Sequence, residues 1–579
     1  MCPLAGTPIV NRRDRFLTRG AAVAFAAALL ALFLFSLHLA RTRIYQVDEC
    51  DTLFVARVLA TGQSDAFQTG LTLFHVPFMA LARHATESVR LFTDGRMVAL
   101  AVFWVNLALL AIATGERLFS VRGLAAFVAA ATLAPLWDYG FEIRHDNVLL
   151  TGLLLTWCVI RIRHADAWAL FCAGALAVIL EFVAFKAFVY TVPMFFCAVV
   201  MVRRGVPVWR RAAAWAAGAV VALAVLRGVF EAAGLWSIFV RHVAGMAATA
   251  GHTDRFFPWQ TLARIFRQSP LLVGLTIAGL VDLLIGTPAR AAERRERLWP
   301  EALLVLCTFA ALLMNPTPFP YNLVNFVPFL FAFAYRSLLL QLESSRPPAR
   351  QAVVLTLAAL SAAHLAPFAI ATARHLRMTN TRQQQVMRAA EALTDPVTDT
   401  VYDGIGMVPT RRSIAPRWLL HSLNIASFTN RTDRSVRDML RANPATVLIQ
   451  SYRTDWLPRE DHEFIRQHYL PLSDDLSVLA SVVPAGSASV EIGHAGRYRV
   501  LGAAPAATGI AANPFAPSAP SVTVDGAPLT SGVVWLDAGR HSVATTSAAG
   551  LVFAWIGPTL TRFPQLEGSD HRFLFVNWY

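Results

Sequence analysis

Hydrophobic residues in the first two thirds of the chain form long runs, whereas those after about residue 373 form short ones. A helix needs about 20 apolar residues to cross a hydrocarbon layer of about 30 Å. Runs near that length predict eleven membrane spans, and hence a polytopic α-helical membrane protein with about eleven transmembrane helices. The predicted spans are residues 20–40, 95–113, 123–137, 147–160, 167–182, 187–202, 212–230, 270–287, 300–314, 321–340 and 351–372.

The pattern after residue 373 is typical of a domain in water. Strand-like and helix-like runs alternate up to about residue 484, which predicts a small α/β domain. Short strands separated by turn residues follow, and they predict a β-sandwich. The predicted regions are a cytoplasmic tail (1–19), a transmembrane domain (20–372), an α/β domain (373–484) and a β-sandwich domain (485–579).

Composition and charge support a membrane protein with a defined orientation. Apolar residues make up 56% of the 579 residues and charged residues only 15%, against about 25% charged in soluble domains, which excludes a single soluble enzyme. Much of the net charge of +14 lies in arginines of short connections, so it indicates topology and not nucleic-acid binding. Arginine in every connection on one side predicts a cytoplasmic N-terminus and a C-terminal region on the opposite, outer side of the membrane.

Two acidic residues lie just beyond the outer end of the first predicted span. Asp48 and Glu49 are followed by a short helix-like segment. A carboxylate pair at the membrane surface can take the proton of an acceptor hydroxyl or hold a cation. The alternative is a solvated helix N-terminus, where acidic residues are also favoured.

The next outer connection is short and rich in ionisable residues. Arg144, His145 and Asp146 lie where the following span enters the membrane. We expect Asp146 near Asp48 and Glu49 if the two spans pack together. The alternative is an ion pair between Arg144 and Asp146 that only anchors the helix end.

Lys186 is the only lysine in the chain, since every other basic residue besides histidine is arginine. A compact ammonium binds a phosphate as a point charge. Ionisable residues near the membrane core are usually functional, although a lysine at a helix end also extends its charge to water or pairs with a carboxylate such as Glu181.

The outer connection 231–269 combines cations with aromatic residues. Arg241 and His242 are candidates for contacts with a lipid phosphate or a sugar. A plain aromatic belt at the membrane interface explains the aromatic residues equally well. Whether His242, with His252, holds a metal ion is left open.

Together these motifs resemble a known family. The order of Asp48-Glu49, Arg144-His145-Asp146, Lys186 and the later segment Pro318-Phe-Pro-Tyr321 is similar to that of the GT-C membrane glycosyltransferases. The bacterial relatives of the protein O-mannosyltransferases and of the lipid A aminoarabinose transferase are the most similar in layout. The resemblance covers about residues 20–372, and it implies a GT-C-like fold.

The resemblance implies a bacterial inner-membrane protein with a periplasmic C-terminal region. It also implies transfer of a sugar from a polyprenyl-phosphate donor on the periplasmic face. It makes Asp48, Glu49 and Asp146 catalytic, with Asp48 as the base. Lys186 and Arg144 would bind the donor phosphate. His145, Arg241, His242 and Tyr321 are candidate substrate-binding residues.

The implied partners are the lipid-linked sugar and an envelope glycan, lipid or protein acceptor. No cofactor beyond the donor is implied, and a divalent metal is left open. The sequence departs from the family at Phe185 and Ala187, where Thr and Gly are usual, and at Asn322 and Asn325, in a stretch that often carries another proline.

Two other functions compete with the enzyme. A polyprenyl-lipid transporter or flippase would show repeated halves and a site at mid-membrane, but the ionisable residues here crowd one face and no repeat is visible. A non-catalytic, membrane-anchored sugar-binding protein would not need eleven spans with polar outer loops.

Reporter domains fused after Pro347 and after Asp403 test the orientation. We expect a reporter that works only in the cytoplasm to be active after Pro347, and one that works only in the periplasm to be active after Asp403. The reverse pattern would place all the candidate residues on the cytoplasmic side and contradict the prediction.

Overall fold

The structure is a computed structural model, and it describes most of the chain. The predicted span 351–372 lies mostly outside the described residues, as does His252. The described residues are 12–62, 73–163, 166–199, 207–249, 258–285, 288–314, 320–344, 361, 364–414, 435–503, 510, 512–517, 521–546, 550–566 and 574–575.

Helices dominate up to residue 344, as the long apolar runs predict. They are α1 (Arg12–Thr42), α2 (Val47–Ala60), α3 (Val76–Arg83), α4 (Ser88–Ala113), α5 (Val121–Ala131), α6 (Ala134–Tyr139), α7 (His145–Arg163), α8 (Ala167–Val183), α9 (Phe188–Val199), α10 (Val208–Ala232), α11 (Trp236–Thr249), α12 (Pro258–Gln268), α13 (Pro270–Ile285), α14 (Pro288–Met314) and α15 (Leu323–Ser344).

Fewer helices than predicted are long and apolar enough to cross a membrane. Among the described residues, four helices are long and apolar enough by length and composition. The pair α12 and α13, bent by 102°, makes a fifth if it is one span. The predicted count of eleven is therefore not confirmed. Several predicted spans coincide with helices that are too short, such as α5 with 11 residues and α9 with 12. The four helices that pass cover Arg19–Thr42, Ser88–Ala113, Val208–Ala232 and Pro320–Glu343.

Glycine allows α8 and α10 to cross at very short distance. A Cβ atom on Gly174 would lie 2.0 Å from the carbonyl oxygen of Trp215, and one on Gly218 would lie 1.9 Å from that of Phe171. Each helix thus has a glycine against the other's backbone. This small-residue contact is how helices pack in a membrane, where no hydrophobic effect draws them together. It holds α8, and the turn after it that carries Lys186, against the bundle.

Beyond residue 364 the chain is helical over 364–377, and helices and strands then alternate. The helices are α16 (Thr381–Ala392), α17 (Val436–Ala442) and α18 (Arg459–His468). The strands are β1 (Thr400–Tyr402), β2 (Arg412–Ser413), β3 (Val447–Ile449), β4 (Tyr469–Pro471), β5 (Leu476–Val483), β6 (Ser489–Ile492), β7 (Gly496–Gly502), β8 (Val522–Val524), β9 (Ala527–Pro528), β10 (Val533–Leu536), β11 (Gly539–Thr545) and β12 (Leu551–Trp555).

One sheet runs through the position near 484 at which the sequence predicts a domain boundary. Its strand order is β10-β7-β12-β5-β3-β1-β2, with β4 also paired to β5. The strands β1, β2 and β3 are parallel, as in an α/β unit, while β5 pairs antiparallel with β12 from the end of the chain. A second sheet has the order β6-β11-β8-β9. The α/β strands and part of the predicted sandwich therefore share one sheet, because buried β12 completes it.

The C-terminal region is hydrogen-bonded directly to the segment between α1 and α2. The Tyr45 amide donates to Oε1 of Gln383 at 2.7 Å, and Nε2 of Gln383 donates to the Tyr45 carbonyl at 3.0 Å. Gly406, which has a φ of +75°, packs on α2 so closely that a Cβ would lie 2.4 Å from Cβ of Phe54. The sheet therefore fixes the position of α2 from outside the helical bundle.

Alanine at Gly218 tests the crossing of α8 and α10, with Gly228 on the same helix as the control. Gly218→Ala should destabilise the protein by about 1–3 kcal/mol, the usual cost of overpacking. Gly228 has open space around it, so Gly228→Ala should leave stability unchanged or raise it. Thermal unfolding of the purified protein in detergent measures both. Equal midpoints for the two variants would contradict the close crossing.

Candidate functional site

The site is built around the first turn of α2, which carries both predicted acidic residues. Glu49 caps this helix, since its Oε2 accepts the amide hydrogen of Gln46 at 2.8 Å. Asp48 precedes it on another face of the helix. The two carboxylates therefore point to different partners, although they are adjacent in sequence.

Glu49 is fully buried against Arg96 of α4. Nε of Arg96 donates to Oε1 at 2.9 Å and Nη2 donates to Oε2 at 2.6 Å, while the Ile143 amide donates to Oε1 at 3.1 Å. Burial raises the pKa of Glu49, but Arg96 and these hydrogen bonds outweigh it, so the net pKa is lowered. The Glu49 carboxylate thus anchors the start of α2 to α4, and its predicted catalytic role stays a prediction.

Arg96 also ties together the chain that leads into α2. Its Nη1 donates to the Arg43 carbonyl at 2.5 Å and its Nη2 to the Ile44 carbonyl at 2.7 Å. Arg43 in turn pairs with the buried Glu142 and donates to the Trp137 carbonyl at 2.9 Å. One buried network thus links α1, α2, α4 and the loop before α7.

Asp48 is the accessible carboxylate of the pair. Its side chain is 34% exposed, and Oδ2 pairs with Nη1 of Arg144. The Arg144 side chain is almost fully buried, and its Nε lies 3.4 Å from Oδ2 of Asp146. Arg144 therefore connects Asp48 with Asp146, which lie near each other as expected, and the ion pair between Arg144 and Asp146 that was the alternative is present as well.

Asp146 is buried and fully engaged at both of its oxygens. Oδ1 pairs with Nζ of Lys186 and accepts from Nδ2 of Asn325 at 3.1 Å, while Oδ2 faces Arg144 and lies 3.7 Å from Nε2 of His145. Asp146 thus holds Lys186 and Arg144 in fixed relation, and its predicted place among the catalytic carboxylates stays a prediction.

Lys186 lies on a single turn of 3-10 helix, Phe185–Ala187, between α8 and α9. Its side chain is 26% exposed, and besides Asp146 it donates to Oδ1 of Asn322 at 2.8 Å. Burial lowers the pKa of Lys186, while Asp146 acts in the opposite direction. Two of its three N–H donors are therefore used within the cluster. Glu181, which the sequence offered as a partner for Lys186, accepts a hydrogen bond from Thr191 instead.

Tyr321 presents its ring to both cations. The ring centroid lies 4.1 Å from the guanidinium carbon of Arg144 and 5.0 Å from Nζ of Lys186. These are cation–π distances, so the ring keeps the two cations apart and oriented. The structure thus places Tyr321 in the cluster, and its predicted role in substrate binding stays a prediction.

The other predicted substrate-binding residues fall in different places. His145 is at the cluster with a side chain that is 41% exposed. Arg241 is exposed on α11, and within the described residues no ion pair joins it to the cluster. The side chain of His242 is outside the described part of the chain.

Several residues of the site escaped sequence analysis. Asn322 and Asn325 looked like departures from a family pattern, yet they hold Lys186 and Asp146. Their spacing of three on one helical turn is the signal that would have identified them. Arg43 and Arg96 were not among the predicted site residues, and sequence alone does not pair residues that lie 47 positions apart, as Arg96 and Glu49 do.

Asp138 forms a second buried cluster next to the first. Its Oδ2 accepts from Arg264 at 2.9 Å and from Gln268 at 2.8 Å, and its Oδ1 lies 3.0 Å from Nε2 of His375. These contacts hold the bend between α12 and α13 and the helical stretch 364–377 to α6. Neighbouring Tyr139 has Arg264 on one side and Arg144 on the other, so its ring connects the two clusters.

The residues present do not fit a metal ion at the acidic pair. All the oxygen atoms of Glu49 accept from Arg96 or backbone amides, and Asp48 faces Arg144. Among the described residues no group of three or more His, Cys, Asp or Glu side chains is arranged to hold a metal. No chemistry through a metal is derived for this site.

Methionine at Arg96 tests the buried pair. Arg96→Met leaves Glu49 buried without its cation, which should cost about 3–5 kcal/mol. Arg90→Met on the same helix is the control. That side chain is 79% exposed, and its ion pair with Asp94, at 3.7 Å, lies at the surface. Thermal unfolding of the purified protein in detergent should show a lower midpoint temperature for Arg96→Met and a wild-type midpoint temperature for Arg90→Met. A wild-type midpoint for that variant would refute the proposed anchoring of α2.

Comparison with known proteins finds similar solved structures, among them an oligosaccharyltransferase. No family model matches the sequence, and no curated protein matches it. The oligosaccharyltransferase of Archaeoglobus fulgidus, solved in complex with Zn and sulfate, overlaps 84% of this chain and 73% of its own, with 12% identity and a TM-score of 0.45. An overlap this loose assigns no activity, so the function proposed next depends on the site geometry.

Proposed function

We propose that the chain is an integral membrane glycosyltransferase of the GT-C type. It moves a sugar from a polyprenyl-phosphate donor to an envelope glycolipid, polysaccharide or protein acceptor on the periplasmic face. The observation that carries this proposal is the pairing of one accessible carboxylate, Asp48, with one accessible ammonium, Lys186, through the buried Arg144 and Asp146. A base and a cation held in fixed relation are what transfer from a phosphate-linked sugar requires.

Lys186 binds the donor phosphate in this proposal. Its ammonium is held by Asp146 and Asn322, which leaves one N–H for a ligand. Arg144, fixed over the ring of Tyr321, adds a second positive charge. Because both cations are oriented before the donor arrives, they stabilise the negative charge that grows on the departing phosphate.

Asp48 acts as the base. Its exposed fraction lets an acceptor hydroxyl reach the carboxylate, which is ion-paired with the guanidinium of Arg144. The acceptor oxygen attacks the anomeric carbon of the sugar as its proton moves to Asp48. The bond from the anomeric carbon to the phosphate oxygen breaks, and the polyprenyl phosphate leaves with the electron pair.

The location of the ionisable groups favours an enzyme over a transporter. Lys186 lies in the turn that joins α8 to α9, Arg144 directly precedes α7, and Asp48 is in the first turn of α2. These are helix ends, where a lipid-borne head group meets the interface. A transporter would place such groups on interrupted helices at mid-membrane.

Two variants separate donor binding from chemistry. The probe is polyprenyl monophosphate, the product that every such donor would release, bound to the protein in lipid nanodiscs. Lys186→Met should weaken its binding roughly 10- to 100-fold, the loss expected for a hydrogen bond to a charged group. Asp48→Asn should bind it normally. Arg210→Met, which removes an exposed cation from α10, is the control and should not change binding.

Transfer is then followed by mass spectrometry of envelope lipids, glycans and proteins from cells with and without the chain. A mass shift by one sugar should depend on the wild-type chain, and Asp48→Asn should reduce it by a factor of about 10²–10⁴. Normal transfer by Asp48→Asn would remove Asp48 as the base. Normal phosphate binding by Lys186→Met would remove the proposed donor site.

A further inference from the structure

The C-terminal region approaches the same helix that carries Asp48. Gly406 packs on Cys50 and Phe54, and its close approach leaves no room for a side chain. Successive residues of an α-helix turn by about 100°, so Asp51 lies between that contact face and the face of Asp48. Asp51 is also three positions from Asp48, which brings the two carboxylates to within about 6 Å at Cβ.

A loop of the C-terminal region brings a buried cation close enough to α2 for its charge to act on Asp51. Arg453 follows β3, and its guanidinium carbon lies 4.3 Å from the ring centroid of Trp456 and 5.3 Å from that of Tyr452. Its Nε donates to the Tyr452 hydroxyl at 3.1 Å. The side chain is almost fully buried. Two aromatic rings thus hold the cation in one orientation.

We propose that Asp51 is a proton relay for Asp48 and that Arg453 is the positioning residue that holds it. This inference rests on the proposed function. After attack, the acceptor proton on Asp48 passes to Asp51 and then to water, which restores the base while substrates cover Asp48. No bond changes other than these O–H bonds, so the step needs no further reactant.

The charges around Asp51 suit that role. Burial and the neighbouring Asp48 raise the pKa of Asp51 to about 7, while Arg453 lowers it. From the other elements packed on α2, Asp403 is engaged by four backbone amides, and Tyr452 of the same loop has a raised pKa. Without Arg453, Asp51 would stay protonated at neutral pH and accept no proton.

Infrared difference spectra of the full chain in nanodiscs test the assignment without any substrate. One carboxyl band that titrates near neutrality should vanish in Asp51→Asn. In Arg453→Gln it should move to higher pH by about one unit, since an opposite charge has been removed. Arg459→Gln is the control, because that side chain is 89% exposed on α18. Glu142→Gln identifies the band of Glu142, whose pKa burial also raises to about 7.

The rate of transfer against pH tests the relay itself. The wild-type rate should rise with pH through about 7, the pKa of Asp51. Asp51→Asn should lose that rise and be slower, Arg453→Gln should shift it upward, and Arg453→Lys should restore it in part.

Each outcome has a separate meaning. A band that persists in Asp51→Asn, or a pH profile unchanged in both variants, overturns the relay while leaving the transferase in place. A wild-type chain that transfers no sugar overturns the proposed function and the relay with it, whatever the infrared bands show.

Discussion

The buried pair between Glu49 and Arg96 is the interaction on which the site depends. Both side chains are removed from water, so each requires the other, and the remaining donors and acceptors must be satisfied as well. Arg96 meets this requirement by donating to the carbonyls of residues 43 and 44, and Glu49 by accepting from residues 46 and 143. The pair therefore sets where α1 ends, where α2 begins and which way Asp48 points.

Sequence analysis could predict which residues lie together but not which of them are buried and which are accessible. Asp48, Arg144, Asp146, Lys186 and Tyr321 were each selected from short outer segments, and they converge in the structure. The selection succeeded because ionisable residues at helix ends near a membrane are costly and few. The roles of Glu49 and Asp146 depend on burial, which a sequence position next to an outer loop does not reveal.

The fold was predictable at the level of class and less so in its counts. Apolar runs correctly indicated a helical membrane region, yet run length alone does not distinguish a spanning helix from short helices such as α5, or from α12, which is bent by 102° from α13. The strand pairings could not be predicted from the sequence for a different reason. β12 joins β5 across about 70 residues, and period-2 patterns carry no information about such distant partners.

The charges at the site form a chain of alternating sign. Arg43, Glu142, Arg144 and Asp48 follow one another, and Asp146 then links Arg144 to Lys186. With Glu49 and Arg96 the network holds as many carboxylates as cations, so it is neutral when all are ionised.

Glu142 is the member of that chain whose charge varies near neutral pH, because burial raises its pKa to about 7. When Glu142 is protonated, the network carries one net positive charge beside Lys186, which favours an anionic donor. When it ionises, Arg144 is shared between three carboxylates and has less charge to offer a phosphate. In the proposed mechanism, donor binding would therefore weaken as Glu142 ionises, whereas the proposed base and relay work better as the pH rises. The rise of the transfer rate through about pH 7 would then be limited at higher pH by the loss of donor affinity.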